Sequence, residues 1–361
     1  MIILHVMEPF ASGITTAVCS IIGELPEFTH IVIHGFRNCI DNIDNTKKRF
    51  PAGVSFIEWK NADREINLVK DWKAYKELKA ILKPYSLKNQ KNKFVVHLHS
   101  SKAGFIGRFV CRCLGIKSVI YTPHCGAFLR TDINFFKRNL YRFFEWVGGC
   151  FGGRVVGCGP SEGELYKNLG KNTTYVSNGV KLKEIKEIKA DRNLVSFTGI
   201  AWLQKAPALW NAVAKNCFIP ARDNGFSFYW IGSGPWENEL EKEFITVTGW
   251  KSAQEVEALL LKTSIYFSTS AWEGLPYGVL EAMNCGCALL LRNVPGNREL
   301  VIPGENGWLF NTKEEAKNKL EVMLKDKTLL AKMGKNSRKL IEQSFSLKQM
   351  GDGYRKIYLS Y

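Results

Sequence analysis

The chain has 361 residues, more than one hydrophobic core usually spans, so two α/β domains of roughly 150 to 200 residues each are expected. With 45% hydrophobic and 23% charged residues it has the composition of a folded globular protein, which excludes a disordered chain. The net charge of +16 is uneven: residues 1–180 hold 25 Lys+Arg against 14 Asp+Glu (+11) and the remainder 25 against 20 (+5), a balance that suits nucleic acid, an anionic membrane or an anionic substrate alike.

The first residues, Met1 to Met7, read as a buried strand without a basic leader or cleavage site, so no signal peptide is expected. No run approaches the roughly 18 apolar residues of a spanning helix. Further strand-like runs follow at Ile31–Gly35, Val54–Ile57, Val95–His99, Ser118–Thr122 and Arg154–Gly157, with helical patterns between them. That alternation predicts a parallel sheet covered on both faces. A Lys/Asn-rich loop is expected around 86–93 and a Lys/Glu-rich linker over 181–193. The pattern then restarts with strands at Leu194–Thr198, Ser227–Ile231, Ile245–Thr248, Ser264–Ser268 and Ala288–Leu291, and a helix over 346–361 is expected to pack back on the first domain. The boundaries are therefore 1–180, 181–193 and 194–345. The ten cysteines show no C-x-x-C pair, and Cys111/Cys113 and Cys285/Cys287 are flanked by apolar residues, so reduced thiols are expected.

Open α/β sheets bind ligands beyond the carboxyl ends of their strands, which directs attention to the loops there. The richest is Ser268-Thr-Ser-Ala-Trp-Glu-Gly-Leu-Pro-Tyr-Gly-Val-Leu-Glu-Ala-Met283, between a strand and a helix. Pro276 suits the first helical turn, and the amides of Leu275, Tyr277 and Gly278 at a helix N-terminus suit phosphate oxygens. Glu273 and Glu281 flank that point and can accept hydrogen bonds from sugar and ribose hydroxyls. Alone, two glutamates at this spacing are more often a cap and an ordinary helical residue.

The segment Glu-Gly-Leu-Pro-x-Gly-x-x-Glu-Ala-Met resembles the E-x7-E motif of glycosyltransferase family four, and the resemblance covers nearly the whole chain. It implies the GT-B fold: two Rossmann-like α/β domains facing a central cleft. Phe197-Thr-Gly-Ile-Ala-Trp-Leu-Gln-Lys-Ala-Pro207 resembles the family's phosphate-gripping segment, with Lys205 at the lysine and Ile200 where an arginine is expected. Ile231-Gly-Ser-Gly-Pro235, with Gly232, resembles its Gly-x-Gly-Pro turn, Thr248-Gly-Trp-Lys251 its turn near the base, and Ala11-Ser-Gly-Ile14 its glycine turn against the donor phosphates. The helix after Gly13 is expected to start at Thr15 or Thr16. His97-Leu-His-Ser-Ser-Lys-Ala-Gly104 and Tyr121-Thr-Pro-His-Cys-Gly126 resemble segments of members that build bacterial surface polysaccharides such as lipopolysaccharide or capsule.

The resemblance implies a retaining transferase using a nucleotide diphosphate sugar, UDP-linked by analogy, with a glycan or polyprenyl-linked saccharide as acceptor. His124, Glu273 and Lys205 are the expected catalytic residues. Gly13, Gly232, Gly274, Leu275, Pro276, Tyr277, Gly278 and Glu281 are the expected donor contacts, and His99, Ser100 and Lys102 lie toward the acceptor or sugar, whereas His97 is expected to be structural. No Asp-x-Asp is present, so no metal and no cofactor are expected. A sugar-nucleotide epimerase of the same fold is the alternative enzyme; a nucleic-acid-binding protein would need recognition motifs that are not found. Basic and aromatic residues over 60–93 (Trp59, Trp72, Tyr75, Tyr85) and over Phe135–Trp146 suggest peripheral attachment to the anionic cytoplasmic face of the membrane.

Overall fold

A computed structural model describes residues 1–35, 43–63, 66–86, 93–184 and 192–361. Most of the expected Lys/Asn-rich loop and of the linker lies outside these described residues. The chain divides into two units, Met1–Leu129, Ile133–Asn178 and Leu347–Tyr361 forming the first, and Arg130–Asp132 with Gly179–Ser346 the second.

The first unit carries seven parallel strands: β1 (Ile2–Met7), β2 (Thr29–His34), β3 (Ser55–Glu58), β4 (Phe94–His99), β5 (Val119–Thr122), β6 (Arg154–Gly157) and β7 (Thr173–Tyr175). Their order is β3-β2-β1-β4-β5-β6-β7, with Leu4 in register with Ile31 and Val96. The second unit has six: β8 (Leu194–Thr198), β9 (Ser227–Ile231), β10 (Ile245–Val247), β11 (Thr263–Ser268), β12 (Ala288–Arg292) and β13 (Gly307–Phe310), in the order β10-β9-β8-β11-β12-β13. The central strands are buried along their length, the signature of a sheet covered on both faces. Two edge strands were not anticipated. β7 has only three residues and β13 starts inside an Asn-Gly turn, so neither offers a long β-branched run.

The switch of winding direction falls between β1 and β4 in the first unit and between β8 and β11 in the second. There the crossover connections leave in opposite directions, and the strands' carboxyl ends are left open for a ligand. Cores fill both faces: Trp210, Trp230, Phe197 and Phe267 pack together in the second unit, and the Trp210 indole donates to the Phe267 carbonyl at 2.9 Å. In the first unit the C-terminal helix Leu347–Leu359 buries Tyr354 and Tyr358, and its Arg355 pairs with Glu27 at 2.7 Å.

One helix departs from the usual pattern. Phe135–Cys150 buries Glu145 and Gly148, while Phe135, Phe136, Leu140, Phe143 and Trp146 are exposed. Glu145 meets the buried Arg108 guanidinium at 3.1 Å and accepts from the Tyr121 hydroxyl at 2.8 Å, with Arg108 stacked over the Tyr121 ring. Because the guanidinium stays charged, removing its carboxylate leaves an uncompensated buried cation, and Glu145→Ala should destabilise the first unit by about 3 to 5 kcal/mol. Chemical denaturation reads this directly; an unchanged midpoint would mean that Arg108 finds water or another partner.

Candidate active site

The second unit's site is built on the ends of β8 and β11. After β8 the backbone passes Gly199 and reaches Lys205 and Ala206, the latter at φ +48°, before the Pro207–Asn216 helix. A left-handed alanine is strained and persists only where its surroundings hold it. They do: the Thr269 hydroxyl donates to the carbonyls of Lys205 (2.8 Å) and Ala206 (3.2 Å), the Ala271 amide to the Gln204 carbonyl (2.8 Å), and the Gln204 side chain to the Trp272 carbonyl (2.8 Å). The loop after β8 is thereby laced to the loop after β11, and the lacing brings the Lys205 ammonium to 2.5 Å from the Glu273 carboxylate, which is 8% exposed.

Pro276, expected inside the first turn, instead sits at the N-cap of the Tyr277–Asn284 helix with φ −75° and ψ 123°: its extended ψ keeps it outside the helix. Gly278 follows in the first turn, where a β-carbon would lie 2.5 Å from the Thr198 hydroxyl and 2.7 Å from the Tyr266 hydroxyl. The helix start is thus pressed onto the β8 and β11 ends, and its N-terminus carries partial positive charge. Leu275 is buried, and Glu281 stands half-buried one turn into the helix. Gly274 is buried, and a β-carbon at Gly296 (φ +85°) would lie 2.1 Å from its carbonyl oxygen, so position 296 admits only glycine. Gly232, at φ +139°, lies against the Gly199 carbonyl and bridges Gly249, while the neighbouring Trp250 indole is 63% exposed. Ile200 lies half-buried against Gly234, so the position expected for arginine holds a hydrocarbon and Lys205 is the cation of this loop.

In the first unit, the helix after β1 begins at Ser12, not at Thr15 or Thr16: its cap Ala11 is extended, and Gly13 lies exposed in the first turn. Beyond β4, Ser100 adopts φ +79° at the N-cap position of the Ser101–Leu114 helix, without a side-chain capping bond. Lys102 forms an ion pair with Asp71 at 2.6 Å. Beyond β5, His124 (φ +53°) and Cys125 (φ +78°) are consecutive left-handed residues. Buried Glu162 holds that turn, accepting from the Cys125 amide at 2.6 Å and the Cys158 amide at 2.8 Å, and burial raises its pKa. His124 Nε2 lies 3.0 Å from His99 Nδ1, and burial pushes His124 down to about 3. His97 bonds the Tyr358 and Thr122 hydroxyls, as befits a structural residue.

Sequence reading missed Glu162, the buried Glu8 after β1, and the participation of His5 and His30. The available signal was histidine within otherwise apolar strands: His97 and His99 share one face of β4, and His5 is in register with His97. Ring nitrogens of His5, His97 and His99 lie within 4.8 Å of one another, a spacing that three metal ligands would also have.

Residues 220–340 match the family model for glycosyl transferases group 1. An Escherichia coli protein named UDP-Gal:alpha-D-GlcNAc-diphosphoundecaprenol alpha-1,3-galactosyltransferase is 29% identical over 330 residues, covering 82% of this chain and 81% of its own. Sucrose-phosphate synthase from Thermosynechococcus elongatus superposes with a TM-score of 0.77 at 15% identity, over 100% of both chains. HepE of Anabaena, solved in complex with UDP, does so with 0.76 at 15%, again over 100% of both. The fold is GT-B, and the resemblance read from the sequence is borne out.

Burial lowers the pKa of His5, His30, His97, His99 and His124, whereas the unfolded chain titrates near the ordinary imidazole value of about 6.5. Below that value the unfolded state binds the more protons, so these rings contribute stability at neutral pH that is lost as pH falls from about 6.5 toward their folded values. Glu162 acts in the opposite sense, but as a single group. The thermal midpoint should therefore drop clearly between pH 7 and pH 5; a flat profile would contradict buried neutral rings.

Proposed function

We propose that this chain, a glycosyltransferase of GT-B fold, moves a hexosyl or N-acetylhexosaminyl group from a UDP-sugar, with retention, to a saccharide carried on a polyprenyl diphosphate, in building a surface polysaccharide such as lipopolysaccharide or capsule. The observation that carries the donor reading is the joining of Lys205, Glu273 and the Tyr277–Asn284 helix N-terminus at the β8/β11 switch point. As the bond to the leaving diphosphate breaks, negative charge builds on its oxygens, and an ammonium and an oriented helix dipole stabilise it without reorganisation. This account needs no metal. Glu273 positions the lysine and accepts from the sugar, and Glu281 accepts from the ribose. No side chain of the set is an obvious covalent nucleophile, which favours front-face transfer in which the diphosphate helps to deprotonate the acceptor hydroxyl. The wording of the E. coli relative's name and the UDP bound to HepE support the acceptor class and the nucleotide. An epimerase of the same fold is disfavoured by the group 1 match.

Glu281→Ala should raise the donor dissociation constant, and Glu273→Gln should chiefly lower turnover. A lost hydrogen bond to a charged group costs about 1.5 to 3 kcal/mol, so about tenfold or more is expected in each. Isothermal titration with a panel of UDP-sugars and steady-state kinetics separate the two effects, and wild-type behaviour in both variants would dismiss the site.

Among the described residues no helix is long and apolar enough to cross a membrane. Peripheral attachment at the cytoplasmic face is supported by the exposed rings of Phe135, Phe136, Phe143 and Trp146, interleaved with Lys137, Arg138 and Arg142. Trp72, 55% exposed, adds to the basic aromatic surface; Trp59 does not, being fully buried with its indole bonded to the Ala74 carbonyl. Each well-placed cation adds about 1 kcal/mol at an anionic surface. Vesicle co-sedimentation should show binding that needs anionic lipid, weakens with salt and is lost in a Phe136→Ser/Phe143→Ser variant; no binding to anionic vesicles at low salt would defeat this part of the reading.

A further inference from the structure

Of the six histidines in the chain, four form a continuous hydrogen-bonded file across one face of the first unit's sheet. It starts at a backbone carbonyl: His30 Nε2 lies 2.8 Å from Leu25 O. His30 Nδ1 lies 3.1 Å from His5 Nε2, His5 Nδ1 3.1 Å from His99 Nε2, and His99 Nδ1 3.0 Å from His124 Nε2. Among the described residues of the first unit, then, every ring nitrogen of the file is engaged except the outermost, His124 Nδ1, on the partly exposed loop after β5.

The direction of every proton follows from the anchor. A carbonyl oxygen can only accept, so His30 carries its proton on Nε2. Burial keeps these rings neutral, and a neutral imidazole has one N–H and one lone pair. His30 Nδ1 is therefore a lone pair and requires an N–H from His5 Nε2. His5 Nδ1 in turn requires one from His99 Nε2, and His99 Nδ1 one from His124 Nε2. The reverse arrangement would set two lone pairs against each other at Leu25. His97 stands beside the file, its ring centroid 3.9 Å from that of His99, and both its partners are hydroxyls that can give or take, so it imposes no direction.

We infer that this file is a tautomer-setting relay: the Leu25 carbonyl, acting through His30, His5 and His99, holds His124 as the Nε2–H tautomer and so makes its outer nitrogen an obligatory hydrogen-bond acceptor. An acceptor at that point selects a ligand O–H and rejects a phosphate oxygen, which has no proton to offer. On the transferase reading the group recognised is a saccharide hydroxyl. The relay itself rests on the hydrogen-bond geometry and the burial of these rings, and not on that reading. His30, His5 and His99 are positioning residues, and the strained His124–Cys125 turn aims the last ring.

The test is long-range proton–nitrogen correlation spectroscopy on the full chain with 15N-histidine, at neutral pH and without ligand. His30, His5, His99 and His124 should all give the Nε2–H pattern. An Nδ1–H pattern or a doubly protonated ring at any of the four overturns the relay, as does one equivalent of zinc by elemental analysis with a metal-shifted pattern at His5, His97 and His99. His30→Leu, three rings away from His124, should move the His124 Nδ1 signal from the unprotonated toward the protonated range. His30→Gln should restore it, because the amide can donate to Leu25 and accept from His5. A His124 signal unmoved in a folded His30→Leu protein also overturns the relay; should that variant fail to fold, the wild-type and His30→Gln spectra still decide. Since the spectra are taken on free protein, they judge the relay whether or not transfer is observed.

Discussion

The two parallel sheets are wound in both directions from a central pair of strands, and the rest of the molecule's chemistry depends on the gap that this winding leaves. At β8 and β11 the chain departs to opposite sides, so a gap opens at the carboxyl ends and two loops must satisfy their backbone groups against each other. They do so through the Thr269, Ala271 and Gln204 bonds, at the cost of a left-handed Ala206 and close approaches that admit only glycine at Gly232 and Gly278. The result is a pair of loops locked together at the strand ends. Strain in the first unit likewise gathers at the carboxyl ends of strands, in Ser100 after β4 at the switch point and in His124 and Cys125 after the neighbouring β5.

The two units solve the electrostatic problem differently. The second keeps charge in its loops, an ammonium against a buried carboxylate, whose mutual attraction offsets the desolvation penalty of each. The first keeps its polar file neutral, because burial lowers the imidazole pKa values and hydrogen bonds consume the polar atoms. Its excess positive charge is carried by surfaces such as the Phe135–Cys150 helix, where a buried Glu145–Arg108 pair turns the aromatic side outward.

Much of this was legible in the sequence. Strand runs of Val, Ile and Phe between glycine turns located eleven strands, and the segment from Glu273 to Glu281 announced a loop-to-helix junction at a strand end, because a proline before a helix and a glycine in its first turn have strict conformational meanings. Less was legible where tertiary contact decides. Nothing local shows that Glu162 would hold the Cys125 amide 37 residues away, that Lys205 would meet Glu273, or that Trp59 would be buried while Phe136 is exposed. The histidine file was half visible, as polar residues on apolar strands. Its register, which joins His5 to His99 and His30, is a property of strand order.

The central claim is transfer of a sugar from a nucleotide diphosphate donor, and product analysis tests it most directly. Purified protein is incubated with UDP-sugars and a polyprenyl diphosphate saccharide, and the product is examined for a new glycosidic bond and its anomeric configuration. The account predicts UDP release coupled one-to-one to a lengthened saccharide whose new linkage keeps the donor's α configuration, abolished by Lys205→Ala. A lengthened saccharide with inverted configuration, or an epimerised UDP-sugar with no new bond, would contradict it.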